Sequence, residues 1–183
     1  MKPTVAIFGG SFSPVHTGHM AVACGIIENG LADEVWLMPC KRNPLKEEGP
    51  VFNDSKRLEM LAEAIEYAEK KYPYLKGRLK ITDIELKMPE PSFTYKTLEE
   101  LERRFPEMIF RIAVGSDSYL NFEKWRQWEW IEHNFSPVVY PRPGHNVSEL
   151  RPFWTFLEGV ELVDISSTEL RHVFASFLPW LMT

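Results

Sequence analysis

The stretch VAIFGGSFSPVHTGH occupies residues 5–19 and decides the class of fold. Its first residues, Val5 to Phe8, form a short apolar run typical of a buried strand, which Gly9 and Gly10 end. Apolar residues then recur at helical spacing between Gly18 and Asn29, so a helix should follow the loop directly. A glycine-rich turn from a strand into a helix brings unpaired N–H groups and the positive end of the helix dipole to one point. The sequence therefore predicts an anion-binding loop.

The rest of the chain alternates between strand-like and helical patterns. Strands are predicted at Glu34–Pro39, Leu79–Leu86, Ile109–Val114, Pro137–Tyr140 and Val160–Ile165. Helices are predicted from a cap at Asp54 to before Pro73, and at Thr94–Phe105, Tyr119–Asn134, Val147–Leu157 and Ser167–Phe177. Strands that alternate with helices form a parallel sheet with right-handed crossovers. The prediction is one α/β domain over residues 1–183, with a parallel sheet of about five to six strands and helices on both faces.

Composition excludes several classes of protein. The 183 residues carry a net charge of −5, which argues against an extended nucleic-acid surface because that would need a basic field. No run approaches the ~18 apolar residues of a membrane span, and the N-terminus lacks a signal-peptide pattern. Cys24 and Cys40 form no CxxC motif, and Cys24 fits a helix core. We expect a reduced, cytoplasmic protein that binds neither nucleic acid nor membrane.

Two imidazoles stand at the predicted loop, His16 and His19, with Gly18 between them. Phosphoryl transfer needs hydrogen-bond donors around the phosphate oxygens more than it needs a strong nucleophile, and imidazole supplies such donors. The loop lacks the GK[ST] of a Walker loop and the GxGxxG of a dinucleotide fingerprint. It therefore indicates a phosphate site of another kind.

A second motif, ISSTELR, occupies residues 165–171. Ser166 or Ser167 can cap a helix there, leaving N–H groups and hydroxyls for a phosphate, with Arg171 one turn further on. Taken alone, the motif is more typical of a capped helix with a solvated arginine.

Together the two motifs resemble the GxFxPxHxGH and ISSTxIR signatures of the nucleotidyltransferase superfamily, in the form found in bacterial nicotinate-nucleotide adenylyltransferases. The resemblance implies a Rossmann-like nucleotidyltransferase fold, with His16 on the ATP phosphates, His19 stabilising the transition state and Arg171 stabilising the departing pyrophosphate. Removing Arg171 should then cost about 2–4 kcal/mol of transition-state stabilisation. The implied ATP-binding residues are Gly9, Gly10, Ser11, Phe12, His16, His19, Asp117, Arg142, Ile165, Ser166, Ser167 and Arg171. Ser13 stands where the family usually has Asp.

Further segments resemble the family's acceptor side. In PSFTYKTL, residues 91–98, Thr94 would meet the pyridine carboxylate, with a plain helix cap as the alternative. In GSDS and FEKW, Asp117 would bind ribose or adenine and Trp125 would stack on the pyridine, where core packing is the alternative. Arg142 lies in a YPRPG segment, near the nucleotide or simply exposed. Lys46 is the candidate for the acceptor phosphate, although Leu45 replaces the family's usual His.

The resemblance implies transfer of AMP from ATP to a pyridine mononucleotide, chiefly nicotinate mononucleotide, in NAD biosynthesis. Mg²⁺ should be carried mainly by the ATP phosphates, because no carboxylate cluster accompanies the motifs and no protein metal site is predicted. Nicotinamide mononucleotide and phosphopantetheine are alternative acceptors, and a non-catalytic nucleotide sensor is the alternative outside the enzyme class. The oligomeric state stays open, with a homo-oligomer among the options.

Overall fold

The computed structural model describes residues 1–41 and 50–160. In these residues, six strands form one sheet in the order β3-β2-β1-β4-β5-β6, and every neighbouring pair is parallel. The strands are β1 Thr4–Gly10, β2 Glu34–Pro39, β3 Leu79–Ile81, β4 Ile109–Gly115, β5 Val138–Tyr140 and β6 Thr155–Phe156. The predicted α/β class with a parallel sheet is confirmed.

Five α-helices accompany the sheet. They are α1 Thr17–Glu28, α2 Asp54–Lys71, α3 Thr94–Arg104, α4 Ser116–Tyr119 and α5 Trp128–Phe135. Short 3-10 turns lie at Pro73–Leu75, Glu85–Lys87 and Phe122–Lys124. Among the described residues, no helix combines the length and the apolar character needed to cross a membrane.

The core lies on both faces of the sheet because side chains alternate along β1. Ala6 and Phe8 pack into a cluster with residues of α1 and α2, such as Ile26 and Leu61. Val5 and Ile7 pack into a second cluster, whose helical members include Leu98, Leu101, Ile131 and Phe135 of α3 and α5. Helices therefore cover both faces, as predicted.

The order of the strands places a crevice beside β1. The chain leaves β1 for β2 on one side and later returns to pair β4 on the other side. At such a reversal the loops after the two strands turn to opposite faces of the sheet, and ligands of open α/β folds bind between them. The loop after Gly10 and the turn at Gly115 border this crevice.

The helix predicted over Val147–Leu157 is wrong, because residues 147–154 form a loop and Thr155–Phe156 form β6. The Tyr119 hydroxyl accepts from the Arg151 N–H and donates to the Glu149 carbonyl, both at 2.9 Å. These backbone groups are therefore satisfied without a helix, and Pro152 has no N–H to offer to one.

Three other boundaries differ from the predictions. Asn53, not Asp54, caps α2, since its side chain accepts from the Lys56 N–H at 2.8 Å. The strand predicted over Leu79–Leu86 ends at Ile81. The helix predicted over Tyr119–Asn134 is α-helical only from Trp128, because Tyr119 ends α4, residues 122–124 form a 3-10 turn and Gln127 has φ of +57°. The predicted strand beyond Val160 and the helix Ser167–Phe177 lie outside the described residues.

Candidate active site

The loop between β1 and α1 is shaped by buried aromatic packing. Phe12 has φ of +43°, which costs a non-glycine residue energy, and its side chain is 0% exposed. Its ring packs edge-on against Phe8 and His19, at 5.6 and 4.9 Å between centroids. The loop conformation therefore depends on this ring, and a predicted ATP contact from Phe12 would have to come from its backbone.

The two motif histidines come together at the start of α1. Their rings stack with centroids 3.7 Å apart and planes inclined by 30°. The backbone N–H of His16 donates to Nδ1 of His19 at 3.2 Å, so a neutral His19 ring has its proton on Nε2. His19 is largely buried at 8% exposure, whereas His16 is half-buried. The loop thus holds His19 in one orientation and one tautomer.

The electrostatic environment of His16 keeps its ring neutral. Burial, followed by the nearby Arg142 guanidinium, lowers the pKa of His16 to about 4. Within the described residues its Nδ1 is buried and has no hydrogen-bond partner. A phosphate placed beside this ring would oppose the influence of Arg142 and supply a partner.

The ends of β4 and β5 form the opposite side of the crevice. Nε of Arg142 lies 3.5 Å from Oδ1 of Asp117, and both atoms are buried without a hydrogen-bond partner in the part of the chain that the structure describes. The Ser116 hydroxyl accepts from the Arg142 N–H at 2.9 Å and orients this turn. A Cβ at Gly115 would collide with Asp117 Oδ1 and lie 3.1 Å from Arg142 Nε. Glycine at this position therefore leaves room for the two side chains, and a larger residue would force the Asp117 carboxylate to move.

The predicted acceptor residues lie on two segments that contact each other. Thr94 is the first residue of α3 and Trp125 follows the 3-10 turn at 122–124; both are half-buried. The Arg126 guanidinium lies 4.2 Å from the centroid of the Phe93 ring, so the residues next to Thr94 and Trp125 are in contact. Thr94 does not cap α3, because Phe93 occupies the cap position. The Trp125 ring packs at 5.0 Å from Phe122, at the margin of the core.

Several predicted site residues lie outside the described residues, which end at Val160 and omit 42–49. They are Lys46, Ile165, Ser166, Ser167 and Arg171. Gly9, Gly10 and Ser11 lie at the carboxyl end of β1, as the motif predicted.

Three buried polar residues lie beneath the site, of which the sequence analysis singled out Ser13 but not Arg57 or Glu85. Ser13 is fully buried, and its hydroxyl accepts from the Phe52 N–H at 2.9 Å. Arg57 is 0% exposed and Glu85 is 6% exposed. One signal could have revealed Arg57, which lies four residues before Leu61 and therefore on the apolar face of α2.

Comparison with known proteins shows the family of this chain. Residues 7–173 match the family model described as cytidylyltransferase-like. A protein of Bacteroides fragilis named probable nicotinate-nucleotide adenylyltransferase is 37% identical over 177 residues, which cover 96% of this chain and 84% of that protein. Its namesake from Bacteroides thetaiotaomicron is 39% identical over 172 residues, which cover 93% and 81%.

Solved structures share the fold. Nicotinic acid mononucleotide adenylyltransferase of Plasmodium falciparum, complexed with NaAD, superposes with a TM-score of 0.77 over 93% of this chain and 83% of that chain. The same enzyme complexed with APC gives 0.76 with equal coverage. Both are 21% identical to this chain, so the likeness concerns the architecture.

Proposed function

Because this chain belongs to the nicotinate-nucleotide adenylyltransferase family of cytidylyltransferase-like proteins, we propose that it transfers AMP from ATP to nicotinate mononucleotide in NAD biosynthesis. The products are nicotinate adenine dinucleotide and pyrophosphate. One observation supports this most strongly. The stacked His16 and His19 start the helix after the glycine-rich loop, at the crevice that the strand reversal creates.

The reaction is an in-line displacement at the α-phosphorus of ATP. An oxygen of the acceptor phosphate forms the new P–O bond, and the bond from the α-phosphorus to the bridging oxygen breaks as pyrophosphate departs. The acceptor phosphate is already an anion at neutral pH, so no general base is needed. The protein's contribution is position and charge stabilisation.

The described residues have separate roles in positioning the substrates and stabilising charge. His19 offers its Nε2–H to the α-phosphate, where charge develops, because its Nδ1 is occupied by the His16 N–H. His16 binds the triphosphate through the ring that Arg142 and burial keep neutral in the free enzyme. Asp117 and Arg142 bind the nucleoside part of ATP at the ends of β4 and β5. Ser167 and Arg171, outside the described residues, would hold the β- and γ-phosphates.

Mg²⁺ would arrive with ATP and reduce the charge of its phosphates. This ion prefers oxygen ligands and keeps several waters. The described side chains around the crevice are mainly imidazoles and a guanidinium, and the carboxylate of Asp117 already lies beside Arg142. Phosphate oxygens are therefore the better ligands.

The acceptor is bound beside the contact between α3 and the 122–126 segment. Thr94 faces the pyridine carboxylate and the Trp125 ring stacks on the pyridine, while Lys46 binds the acceptor phosphate. The contact of Arg126 with Phe93 supports this assignment, because it brings the two segments together. We further propose that residues 1–183 act as one domain in the cytoplasm.

Release of pyrophosphate tests the proposal. Purified protein would be incubated with Mg-ATP and, separately, nicotinate mononucleotide, nicotinamide mononucleotide and phosphopantetheine. We expect release with nicotinate mononucleotide at a kcat/KM about 10²-fold or more above the others, because loss of the carboxylate leaves its donors unpaired. A preference for another acceptor would refute nicotinate mononucleotide as the substrate but would still support transfer of AMP from ATP. ATP binding without release in any reaction would refute the enzyme and indicate a nucleotide sensor.

A further inference from the structure

One buried guanidinium joins the ends of two adjacent strands. Arg57 of α2 is 0% exposed, and its Nη1 donates to the carbonyls of Ser11 and Cys40, each at 2.8 Å. Ser11 follows β1 in the nucleotide loop, and Cys40 follows β2. Nη2 of Arg57 donates to Oδ1 of Asp54 at 2.7 Å, which anchors the guanidinium to its own helix.

Two further hydrogen bonds connect segments of the same region. The Cys40 N–H donates to the Gly10 carbonyl at 2.8 Å, and the Phe52 N–H donates to the Ser13 hydroxyl at 2.9 Å. The nucleotide loop therefore contacts the strand end at Cys40 and the residues just before α2. Arg57 lies where these contacts meet.

The strand end after β2 is also connected to the acceptor side. The buried carboxylate of Glu85 accepts from the Lys41 N–H at 3.4 Å and from the Ser92 hydroxyl at 2.9 Å. Ser92 lies two residues before Thr94. A continuous set of hydrogen bonds thus runs from the nucleotide loop through Arg57 and Cys40 to the segment that starts α3.

We propose that Arg57 is a positioning residue for adenylyl transfer, which fixes the nucleotide loop relative to the acceptor side through the carbonyls of Ser11 and Cys40. This inference rests on the proposed function. In-line attack requires the reacting atoms about 3–3.5 Å apart, and an error of about 1 Å can cost roughly 10²-fold in rate. A lysine keeps the charge of Arg57 but lacks its planar fork, so it cannot hold both carbonyls and Asp54 in the same geometry.

Arg111 offers a matched control at the other end of the sheet. It is half-buried, and it also bridges segments by donating to the carbonyls of Leu31 at 2.9 Å and Ser136 at 2.8 Å. It lies near the start of β4, away from the carboxyl ends of the strands. Arg111→Lys should therefore reproduce the loss of a structural arginine without disturbing the crevice.

The test compares Arg57→Lys with Arg111→Lys. We expect both variants to lower Tm, whereas kcat should fall about 10- to 100-fold in Arg57→Lys and stay within about twofold in Arg111→Lys. The Kd of ATP in Arg57→Lys should change by less than about threefold, because the nucleotide loop itself remains. If Arg57→Lys does not fold, Asp54→Ala removes the exposed partner of the guanidinium and should lower kcat about threefold. Equal kcat in the two lysine variants, or in Asp54→Ala and wild type, would overturn the inference.

Amide hydrogen exchange separates this inference from the proposed function. In Arg57→Lys the Cys40 and Phe52 amides should exchange faster than in wild type, and in Arg111→Lys they should not. A wild-type protein that releases no pyrophosphate would refute the proposed function, and the exchange data would still show whether Arg57 fixes these segments. Unchanged protection of both amides in Arg57→Lys would overturn the inference even in an active enzyme.

Discussion

The two sides of the crevice satisfy their polar groups in different ways. On the β1 side, the Ser13 hydroxyl, the Ser11 carbonyl and Nδ1 of His19 all accept hydrogen bonds from other residues. Two atoms on this side, Nδ1 of His16 and Nε of Arg57, are buried without a hydrogen-bond partner in the described part of the chain. On the β4–β5 side, Asp117 Oδ1 and Arg142 Nε are buried without a hydrogen-bond partner among the described residues. Buried polar atoms are rarely left in this state.

The bonded groups of the β1 loop and the unpaired atoms of Asp117 and Arg142 suit different tasks. The β1 side is shaped before any ligand arrives, which suits groups that must act on the transition state. The β4–β5 side offers unsatisfied atoms, which a bound nucleotide can pair with a gain in affinity. Changes on the first side should therefore reduce turnover, and changes on the second side should weaken ATP binding.

The largest effect should come from His19 on the β1 side. His19→Ala removes the donor at the α-phosphate, so turnover should fall by about 10²–10³-fold with ATP affinity nearly unchanged. Steady-state kinetics and calorimetric ATP binding would measure the two quantities. His133→Ala, which alters an exposed histidine on α5, is the control. Wild-type turnover in His19→Ala would refute the catalytic assignment.

Alanine at two glycines should separate the two sides. Gly115→Ala drives a Cβ into Asp117 Oδ1, so Tm should fall and ATP affinity should drop about 10- to 100-fold. A Cβ at Gly9 makes ordinary contacts at 3.5 Å with Cys40 Sγ and Met38 Cε, so Gly9→Ala should keep its Tm. Thermal denaturation and ATP titration would measure both variants. Equal Tm values for the two variants would contradict the close approach at Gly115.

Asp117→Asn should produce a smaller loss on the same side. The substitution keeps the shape of the side chain and removes its charge, so the KM for ATP should rise about tenfold, or about 1.4 kcal/mol. Turnover should change by less than about threefold, because Asp117 does not contact the reacting atoms in the proposed site. Asp83→Asn, which alters an exposed surface ion pair with Lys87, serves as the control. A loss confined to kcat would place Asp117 among the catalytic groups instead.

A prediction of a different kind concerns the pH dependence of stability. The pKa of His16 is about 4 in the folded protein and about 6.5 when unfolded, so protonation favours the unfolded state as pH falls between these values. The stabilising contribution is complete above about pH 6.5 and is lost progressively toward pH 4. The free energy of unfolding of His16→Gln should therefore fall less than that of wild type between about pH 7.5 and 4.5. The slopes of the two curves against pH should differ by up to the contribution of one proton. Urea titrations at several pH values would measure this, and parallel curves for the two proteins would contradict it.

Much of the fold could be predicted because its signals are local. The apolar run before Gly9, the helical spacing after Gly18 and the later alternation indicated a parallel sheet with helices on both faces. The region around residues 147–157 could not be predicted, because its loop depends on Tyr119, which lies 30 residues before Glu149. A hydrogen bond of that span leaves no periodicity in the sequence.

The candidate site also has features that could be predicted from the sequence and features that could not. Adjacent motif residues such as His16 and His19 could be predicted to lie together, since they share one turn. The burial of Arg57 and Glu85 could not be read from charge, because charged residues are usually exposed and their partners come from other segments. The neutral state of His16 depends in part on Arg142, 126 positions later in the chain, and only the folded structure brings the two together.

The lengths of the strands bear on how copies of this protein could meet. β1 and β4 each span seven residues, whereas β3 spans three and β6 two. Within the described residues, the outermost strands thus offer few backbone groups to a neighbouring chain, which limits edge-to-edge pairing and the aggregation it can start. Self-association, where it occurs, would then depend on complementary helical surfaces rather than on extension of the sheet from one molecule into the next.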